Sequence, residues 1–214
     1  MAREVADAAR VLAGLGLVTA FGHVSARSGR DMLITPAVAL DRVEARDLVT
    51  VALDATALPP GAPAEAWAHL RTYASRPDAA AIARAQPPDA FAVAAVTAEL
   101  RPLHGQACWL GRRVPVHDDA RLLRSTELAD AAVATLGDAD ALLLRGNGGL
   151  TLGAGPGLAV ARMWLLAAAC RTYLTATGSG EPRPLSEIEI DSWRAVQGEL
   201  LPRLWRHLYG GDRP

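Results

Sequence analysis

The chain has 214 residues, a formal net charge of −1 and a hydrophobic content of 50%. This apolar content excludes a disordered chain and is enough for one domain with a substantial core, which we take to cover residues 1–214. The near-balanced charge argues against a nucleic-acid partner, because there is no excess of cations to neutralise phosphates.

The sequence also argues against a membrane partner. The longest apolar run, Met163–Cys170, is too short to cross a bilayer and ends at Arg171. The first residues lack the pattern of a signal peptide, so we expect a cytoplasmic protein. Cys108 and Cys170 are the only cysteines, and their wide separation predicts free thiols in the core rather than a disulfide.

Lysine is missing from the sequence, and all 22 basic side chains are arginine. Schiff-base aldolases, pyridoxal-phosphate enzymes and Walker-type phosphate loops each need a lysine amine. These three kinds of chemistry are therefore excluded.

Apolar periodicity and turn residues predict alternating helices and strands. In the first half we expect a helix over 4–17, strands over 21–27 and 31–36, a helical turn over 43–48, a strand over 49–53, a loop over 57–63 and a helix from 64 to the stop at 76–78. In the second half we expect a strand over 79–85, a helix over 87–99, a weak strand over 113–116, a helix capped by Ser125 and ending at 136, a strand over 141–144, a glycine-rich loop over 146–157, a helix from 158 to about 175, and a last amphipathic helix over 187–208 that is interrupted at Pro202. This alternation predicts an α/β fold in one three-layer α/β/α domain, with a hinge at Pro182 and Pro184.

Several short motifs occur in an order that resembles one known family. They are FGHVSAR at 21–27, LITP at 33–36, Glu65 and His69, RPD at 76–78, RGNGG at 145–149 and TLG at 151–153. In this order and spacing they resemble the class II aldolase/adducin family, over about residues 4–190. The family includes sugar-phosphate aldolases, an epimerase, a dehydratase, hydroxyaromatic decarboxylases and the non-enzymatic head of adducin. The resemblance implies a mostly antiparallel central sheet and a homotetramer with shared sites, in which residues 185–214 could cover a neighbouring subunit.

The resemblance also implies a metal site that this chain has lost. In the family three histidines hold a divalent metal, usually zinc, and their positions fall here on Arg84, Gln86 and Asn147. Zinc binds imidazole, thiolate or carboxylate groups, whereas a guanidinium is a permanent cation. We therefore expect no metal at this place and no other cofactor. A weak alternative site at Glu65, His69 and His23 stays open.

A second departure concerns the substrate. The positions where sugar-phosphate members bind phosphate are occupied by Gly22-His23, Ala37-Val38 and Pro63-Ala64, and Pro63 has no amide donor. We therefore expect a small-molecule substrate without a phosphate group. The His23 variant resembles the decarboxylase-like members instead.

The remaining polar residues define the predicted site. Glu65 matches the family's acid/base glutamate, and His69 lies one helical turn after it, so we expect both to be catalytic. Arg84 and Arg145 are expected to bind a carboxylate or an enolate as electrostatic clamps. Further expected substrate contacts are Gly22, His23, Ser25, Gln86 and Asn147. Each of these residues could instead serve only the structure: Glu65 at a helix N-terminus, and Arg84 in a salt bridge.

Three functions remain open at this point. The first is a metal-independent carbon–carbon lyase or decarboxylase of secondary metabolism, acting on a carboxylated or aromatic small molecule. The second is a pseudoenzyme that acts as a binding or assembly subunit. The third is an isomerase, dehydratase or cyclase on the same scaffold.

Overall fold

A computed structural model describes residues 1–210. The helices are α1 (Ala2–Gly14), α2 (Ala66–Ser75), α3 (Pro88–Val96), α4 (Thr126–Leu136), α5 (Pro156–Ser179), α6 (Glu187–Ala195) and α7 (Gln197–Tyr209). The strands are β1 (His23–Ser28), β2 (Asp31–Ile34), β3 (Val49–Ala52), β4 (Ala81–Ala85), β5 (Glu99–Leu100), β6 (Val114–His117), β7 (Ala141–Leu144) and β8 (Gly148–Gly153). Short 3-10 turns lie at Leu40–Arg42, Ala45–Asp47 and Gly105–Leu110.

The strands form one sheet in the order β3-β2-β1-β4-β8-β7-β6-β5. The pair β6–β7 is parallel, and the other neighbours are antiparallel. The register places His23 opposite Arg84 and Ser25 opposite Ile82 across β1 and β4. The expected mixed, mostly antiparallel sheet is confirmed.

Alternation along the strands divides the side chains between two cores. Val24 and Ala26 of β1 pack into the core under α1, α3 and α5. His23 and Ser25 point to the opposite face, which α2 and α4 cover, and there Ser25 contacts α2. This arrangement confirms the three-layer prediction, and it places the polar residues of β1 between the sheet and α2.

The glycine-rich segment is not the loop that the sequence predicted. Gly148–Gly153 is the strand β8, which pairs with both β4 and β7. Its glycines reflect close packing: a Cβ on Gly148 would lie 2.3 Å from the carbonyl oxygen of Ala85, and one on Gly149 would lie 2.6 Å from Leu166. The composition of this segment therefore reflects close packing in a strand, together with a positive φ of +83° at Gly148, where the chain enters β8.

Two helix predictions were also wrong. The helix expected over 87–99 ends at Val96, because Thr97 is extended and Glu99–Leu100 pairs with β6 instead. The last helix breaks at Val196, where α6 gives way to α7, and it continues through Pro202. Tertiary packing explains this continuity, since Leu201 is buried against the core of its own chain. The expected cover of a neighbouring subunit by this segment stays a prediction, and residues 211–214 lie outside the described part.

Other predictions agree with the structure. Ser125 caps α4 by accepting a hydrogen bond from the amide of Leu128 at 3.3 Å. Cys108 and Cys170 are buried and free, and burial raises the pKa of the Cys170 thiol to about 12. Within residues 1–210 no helix is long and apolar enough to cross a membrane.

Candidate active site

A cavity of about 420 Å³ opens where β1 begins and β4 ends. Glu65, at the N-terminus of α2, and His23, the first residue of β1, both line it. Gln86, just beyond β4, forms a third polar part of the wall. The other lining residues are Ala20, Phe21, Gly22, Ala37, Val38, Pro63, Ala64, Leu122 and Arg124.

The three positions that correspond to the family's metal-binding histidines come together beside this cavity. Gln86 donates from Nε2 to Oδ1 of Asn147 at 3.0 Å. Asn147 donates from Nδ2 to Oε1 of Glu65 at 3.1 Å, and Oε2 of Glu65 lies 3.7 Å from Nη2 of Arg84. The four side chains form one connected polar network, whose centre is the carboxylate of Glu65.

Glu65 is held in place from several sides. Its backbone is the N-cap of α2, at the positive end of the helix dipole. Its Oε1 also accepts a hydrogen bond from the backbone amide of Leu123 at 3.3 Å. The carboxylate is therefore positioned by α2, by the loop before α4 and by Asn147.

Arg84 is a cation inside the protein. Its side chain is 2% exposed, and Nη1 donates to the carbonyl oxygen of Ala85 at 2.8 Å. Nε and Nη2 have no hydrogen-bond partner among the described residues. Burial lowers the pKa of Arg84 and the nearby Glu65 raises it, yet a guanidinium keeps its charge at neutral pH. Two of its nitrogens are therefore buried without a hydrogen-bond acceptor.

His23 is the neutral base of the cavity. Burial lowers its pKa to about 4, the positive charge of Arg84 contributes to this lowering, and Glu65 opposes both effects. At pH 7 the imidazole is therefore uncharged and able to accept a proton. The sequence predicted His23 as a substrate contact; the residue lines the cavity, and its contact with a substrate stays a prediction.

His69 does not line the cavity. It is completely buried behind His23, with the two ring centroids 5.7 Å apart. Its Nδ1 lies 2.7 Å from Oγ of Ser25, which lies 2.8 Å from Oη of Tyr73. Burial lowers the pKa of His69 well below its usual value, and the neighbouring His23 and Arg84 lower it further. The sequence analysis named Ser25 and His69 but not Tyr73, and it missed the hydrogen bonds that join the three residues.

The other two predicted contacts have different positions. Arg145 lies away from Glu65: its side chain is 45% exposed and pairs with the carboxylate and the carbonyl oxygen of Asp118. The expected pair of arginines at one site is therefore not formed. Gly22 lines the cavity at a φ of +150°, where a Cβ would lie 3.1 Å from the carbonyl oxygen of Arg84. Its role is to let β1 approach β4.

Comparison with known proteins identifies the family. Residues 3–174 match the family described as Class II Aldolase and Adducin N-terminal domain. The chain belongs to this class II aldolase and adducin family.

Two curated relatives share one name. The chain is 32% identical to a 3,4-dihydroxyphthalate decarboxylase of Rhodococcus jostii (strain RHA1), over 67% of each protein. It is 35% identical to a 3,4-dihydroxyphthalate decarboxylase of Arthrobacter keyseri, over 72% of this chain and 69% of the relative.

Solved structures show the same fold. An L-fuculose 1-phosphate aldolase superposes with a TM-score of 0.83 at 23% identity, covering 90% of this chain and 93% of that one. The L-fuculose-1-phosphate aldolase of Thermus thermophilus superposes with a TM-score of 0.74 at 28% identity, covering 83% and 96% respectively. The class II aldolase fold is therefore shown.

The side chains of this class II aldolase-type site do not fit the divalent metal that the family resemblance implies. The three corresponding positions present one buried guanidinium and two amides, and the amides are hydrogen-bonded to each other. Zinc needs imidazole, thiolate or carboxylate ligands, and a guanidinium repels it. Within residues 1–210, no group of three or more His, Cys, Asp and Glu side chains is placed to hold a metal ion. The weak alternative at Glu65, His69 and His23 does not form such a group.

The cavity walls also differ from a phosphate site. The cavity is lined by the residues at the positions where the family's sugar-phosphate members bind phosphate. They are Ala37, Val38, Pro63 and Ala64. Three large apolar side chains face the opening while largely exposed: Phe21 at 67%, Val38 at 52% and Leu122 at 43%. Sequence reasoning missed Leu122 and Arg124, because they lie in an irregular loop that no motif marks. The wall is suited to a flat apolar ligand.

Proposed function

We propose that this class II aldolase-family protein is a decarboxylase-type lyase that acts on a non-phosphorylated aromatic acid without a bound metal. The observation that carries the proposal is the buried Arg84, whose Nε and Nη2 have no partner among the described residues, beside a cavity with apolar walls. The names of the two curated relatives support the same reaction class.

The walls account for the aromatic part of the ligand. Phe21, Val38 and Leu122 offer apolar surface that is costly to leave in water, and an aromatic ring would cover it. Arg124 stands at the same cavity as an exposed cation and adds attraction for a carboxylate. Pro63 and Ala64 supply no side-chain donor for a phosphate.

The proposed reaction needs one proton carrier and one fixed positive charge. His23, neutral at pH 7, takes the proton of a ring hydroxyl and returns it to the ring carbon that bears the carboxylate. The carbon–carbon bond then breaks, CO₂ leaves without the bonding electrons, and these electrons restore the aromatic ring as a phenolate. A solvent proton neutralises the phenolate before release.

Arg84 takes the electrostatic part of the work. Charge develops on the ring oxygen as its proton leaves, and a fixed cation in a low-dielectric site stabilises it more than water would. Glu65 keeps Arg84 in place through the 3.7 Å ion pair and lines the cavity itself. Glu65 therefore acts first as the group that positions this charge.

The experiment incubates the purified protein with 3,4-dihydroxyphthalate and with 3,4-dihydroxybenzoate in the presence of a chelator. We expect release of CO₂ and formation of the decarboxylated arene, followed by proton NMR. Arg84→Met is expected to lower the rate by about a hundredfold or more, the usual effect of removing one oxyanion-stabilising group. The matched control is Arg145→Ala, which removes an arginine paired with Asp118 outside the cavity and is expected to keep the rate within about twofold.

Two outcomes would contradict the proposed reaction, and a third would contradict the proposed substrate class. One is turnover that the chelator abolishes. The other is the absence of CO₂ from every hydroxylated aromatic acid tried. Cleavage of L-fuculose 1-phosphate would likewise oppose the inference drawn from the cavity walls.

A second candidate is a binding protein without turnover. It is favoured by the engagement of Glu65: Oε1 accepts from Asn147 and Leu123, and Oε2 faces Arg84. In this candidate the hydrogen bonds and the ion pair of the Glu65 carboxylate stabilise the fold, and the carboxylate has no catalytic role. Binding of the same acids without any chemical change, including isomerisation or loss of water, would support this candidate.

A further inference from the structure

Four buried nitrogens without hydrogen-bond partners lie in one region, next to the cavity. They are Nδ1 of His23, Nε2 of His69, and Nε and Nη2 of Arg84; none has a hydrogen bond among the described residues, and Nη2 has only the 3.7 Å ion pair with Glu65. A buried polar group without a partner costs free energy, so such groups mark a place where water or a ligand completes the structure. His23 and Arg84 are cross-strand neighbours, and the rings of His23 and His69 lie 5.7 Å apart.

The hydrogen-bonded chain behind His69 determines where its proton lies. Among the described residues, the hydroxyl of Tyr73 has Ser25 as its only side-chain partner, at 2.8 Å. The phenol proton has an acceptor only when Tyr73 donates to Oγ of Ser25, so we assign this direction. The proton of Ser25 is then free to be donated to Nδ1 of His69 at 2.7 Å. An imidazole that accepts at Nδ1 carries its proton on Nε2. His69 therefore presents an N–H donor at its unpartnered nitrogen.

The low acidity of Tyr73 favours the hydrogen-bond direction from Tyr73 through Ser25 to His69. Burial raises the pKa of Tyr73 above its ordinary value, so the phenol keeps the proton that it donates. Arg27 secures Tyr73 from the far side, since its guanidinium stacks over the ring at 4.8 Å and donates from Nη2 to the carbonyl oxygen of Tyr73 at 2.8 Å.

Arg84 offers a complementary pair of donors. Nη1 is occupied by the carbonyl oxygen of Ala85, which leaves Nε and Nη2, the two N–H groups along one edge of the guanidinium. Two parallel N–H groups match a planar pair of adjacent oxygen atoms.

We propose that the Nε–Nη2 edge of Arg84 and the Nε2–H of His69 form an inner oxyanion pocket behind His23, with Ser25 and Tyr73 as the residues that position the His69 proton. The pocket receives two adjacent, negatively charged oxygens of the aromatic ligand. This inference rests on the proposed function for the nature of the ligand. His23 lines the cavity and its ring packs 5.7 Å from that of His69, so entry of the oxygens requires the His23 ring to move.

The first test reads the proton on His69 directly. Long-range ¹H–¹⁵N NMR of histidine-labelled protein should show the Nε2–H tautomer in the wild type. Ser25→Ala removes the donor to Nδ1 and should give a mixture of tautomers, while Ser25→Thr keeps a hydroxyl and should restore Nε2–H. A wild-type His69 protonated on Nδ1 would overturn the assignment.

The second test measures binding by calorimetry with catechol and benzoate as separate probes. Catechol supplies adjacent ring oxygens and benzoate supplies a carboxylate, so the tighter probe shows which pair of oxygens the pocket takes. Arg84→Met should weaken that probe by about tenfold or more, and Ser25→Ala by about threefold or more. The control is His104→Gln, another buried Nε2 without a partner that does not line the cavity, which should leave binding unchanged.

The outcomes separate this inference from the proposed function. Binding that depends on Arg84 and Ser25, without CO₂ release, would retain the pocket and reject the decarboxylase. CO₂ release with probe binding that is insensitive to Arg84→Met would reject the pocket and retain the reaction class. A third outcome is that neither probe binds and that the His69 N–H exchanges rapidly with solvent. This result would identify water as the partner of the four nitrogens and would overturn the inference.

Discussion

Gln86 donates a hydrogen bond from Nε2 to Oδ1 of Asn147 over 3.0 Å, and this bond joins the end of β4 to the turn between β7 and β8. The two amides occupy positions at which the family resemblance implies metal-binding histidines. Asn147 uses both of its polar atoms, Oδ1 on Gln86 and Nδ2 on Glu65, and Gln86 uses its amide nitrogen on Asn147. A hydrogen-bonded network thus connects these strands at the place where other members of the family hold a metal, as the resemblance implies.

The first prediction follows from this network. The side chains at positions 84, 86 and 147 include no imidazole, so the purified protein should contain well under one equivalent of zinc by elemental analysis. For the same reason its thermal midpoint should not change when a chelator is added. The triple variant Arg84→His, Gln86→His, Asn147→His should gain about one equivalent of zinc and lose thermal stability on chelation. Zinc in the wild type at full occupancy would contradict the prediction, and apo wild type serves as the control.

The convergence of Arg84, Gln86 and Asn147 was implied by the family resemblance, which aligns these positions with one set of metal ligands. In the structure the three side chains lie together, and Glu65 joins them from α2. The layers and most elements also follow from periodicity.

The orientation of single side chains could not be predicted in the same way. Glu65 and His69 are four residues apart, which predicts a shared helix face, yet Glu65 is the N-cap and its backbone is not helical. Its carboxylate therefore lines the cavity while His69 points to Ser25 in the interior. Arg145 follows β7 immediately, but a pair with Asp118 draws it outward. Such choices depend on neighbours that are distant in sequence.

The second prediction concerns the ion pair of Glu65 and Arg84. Glu65→Gln leaves the buried guanidinium without a counter-charge and should lower the free energy of unfolding by about 3 kcal/mol. Arg84→Met removes the charge that needs compensation and should cost less. The double variant should be more stable than the sum of the two single effects predicts, and urea denaturation of the four proteins measures this coupling. Strict additivity would show that the two groups do not interact.

The third prediction concerns acid stability. The pKa of His23 falls from 6.5 to about 4 on folding because of burial and Arg84, with Glu65 opposing the change. The unfolded chain therefore binds this proton first, so stability should fall as the pH drops from 6.5 towards 4 and should be unaffected above this window. The full contribution of this group is about 3 kcal/mol.

The measurement is urea denaturation at both ends of that window. His23→Gln removes the titrating group, so this variant should lose less stability than the wild type between pH 6.5 and pH 4. His69, whose pKa is also lowered, contributes in the same direction and accounts for a remaining slope. An identical loss in the variant would show that His23 titrates normally in the folded protein.

The fourth prediction tests the packing that brings β8 against β4. Gly148 has a φ of +83°, and a Cβ there would lie 2.3 Å from the carbonyl oxygen of Ala85 and 2.7 Å from Cα of Gln86. Gly148→Ala should therefore lower the free energy of unfolding by more than about 3 kcal/mol. The alanine would have to adopt a left-handed backbone conformation, and its Cβ would also clash with the backbone of β4. The matched control is Gly178→Ala in α5, where a Cβ meets nothing within 4 Å and should stabilise the helix by about 0.5 kcal/mol or more. The Gly148→Ala substitution also displaces Gln86, so the ligand affinity of this variant should fall even under conditions where the variant stays folded. The Gly178→Ala variant should bind the ligand as the wild type does. Equal stabilities of the two variants would mean that β8 does not approach β4 this closely.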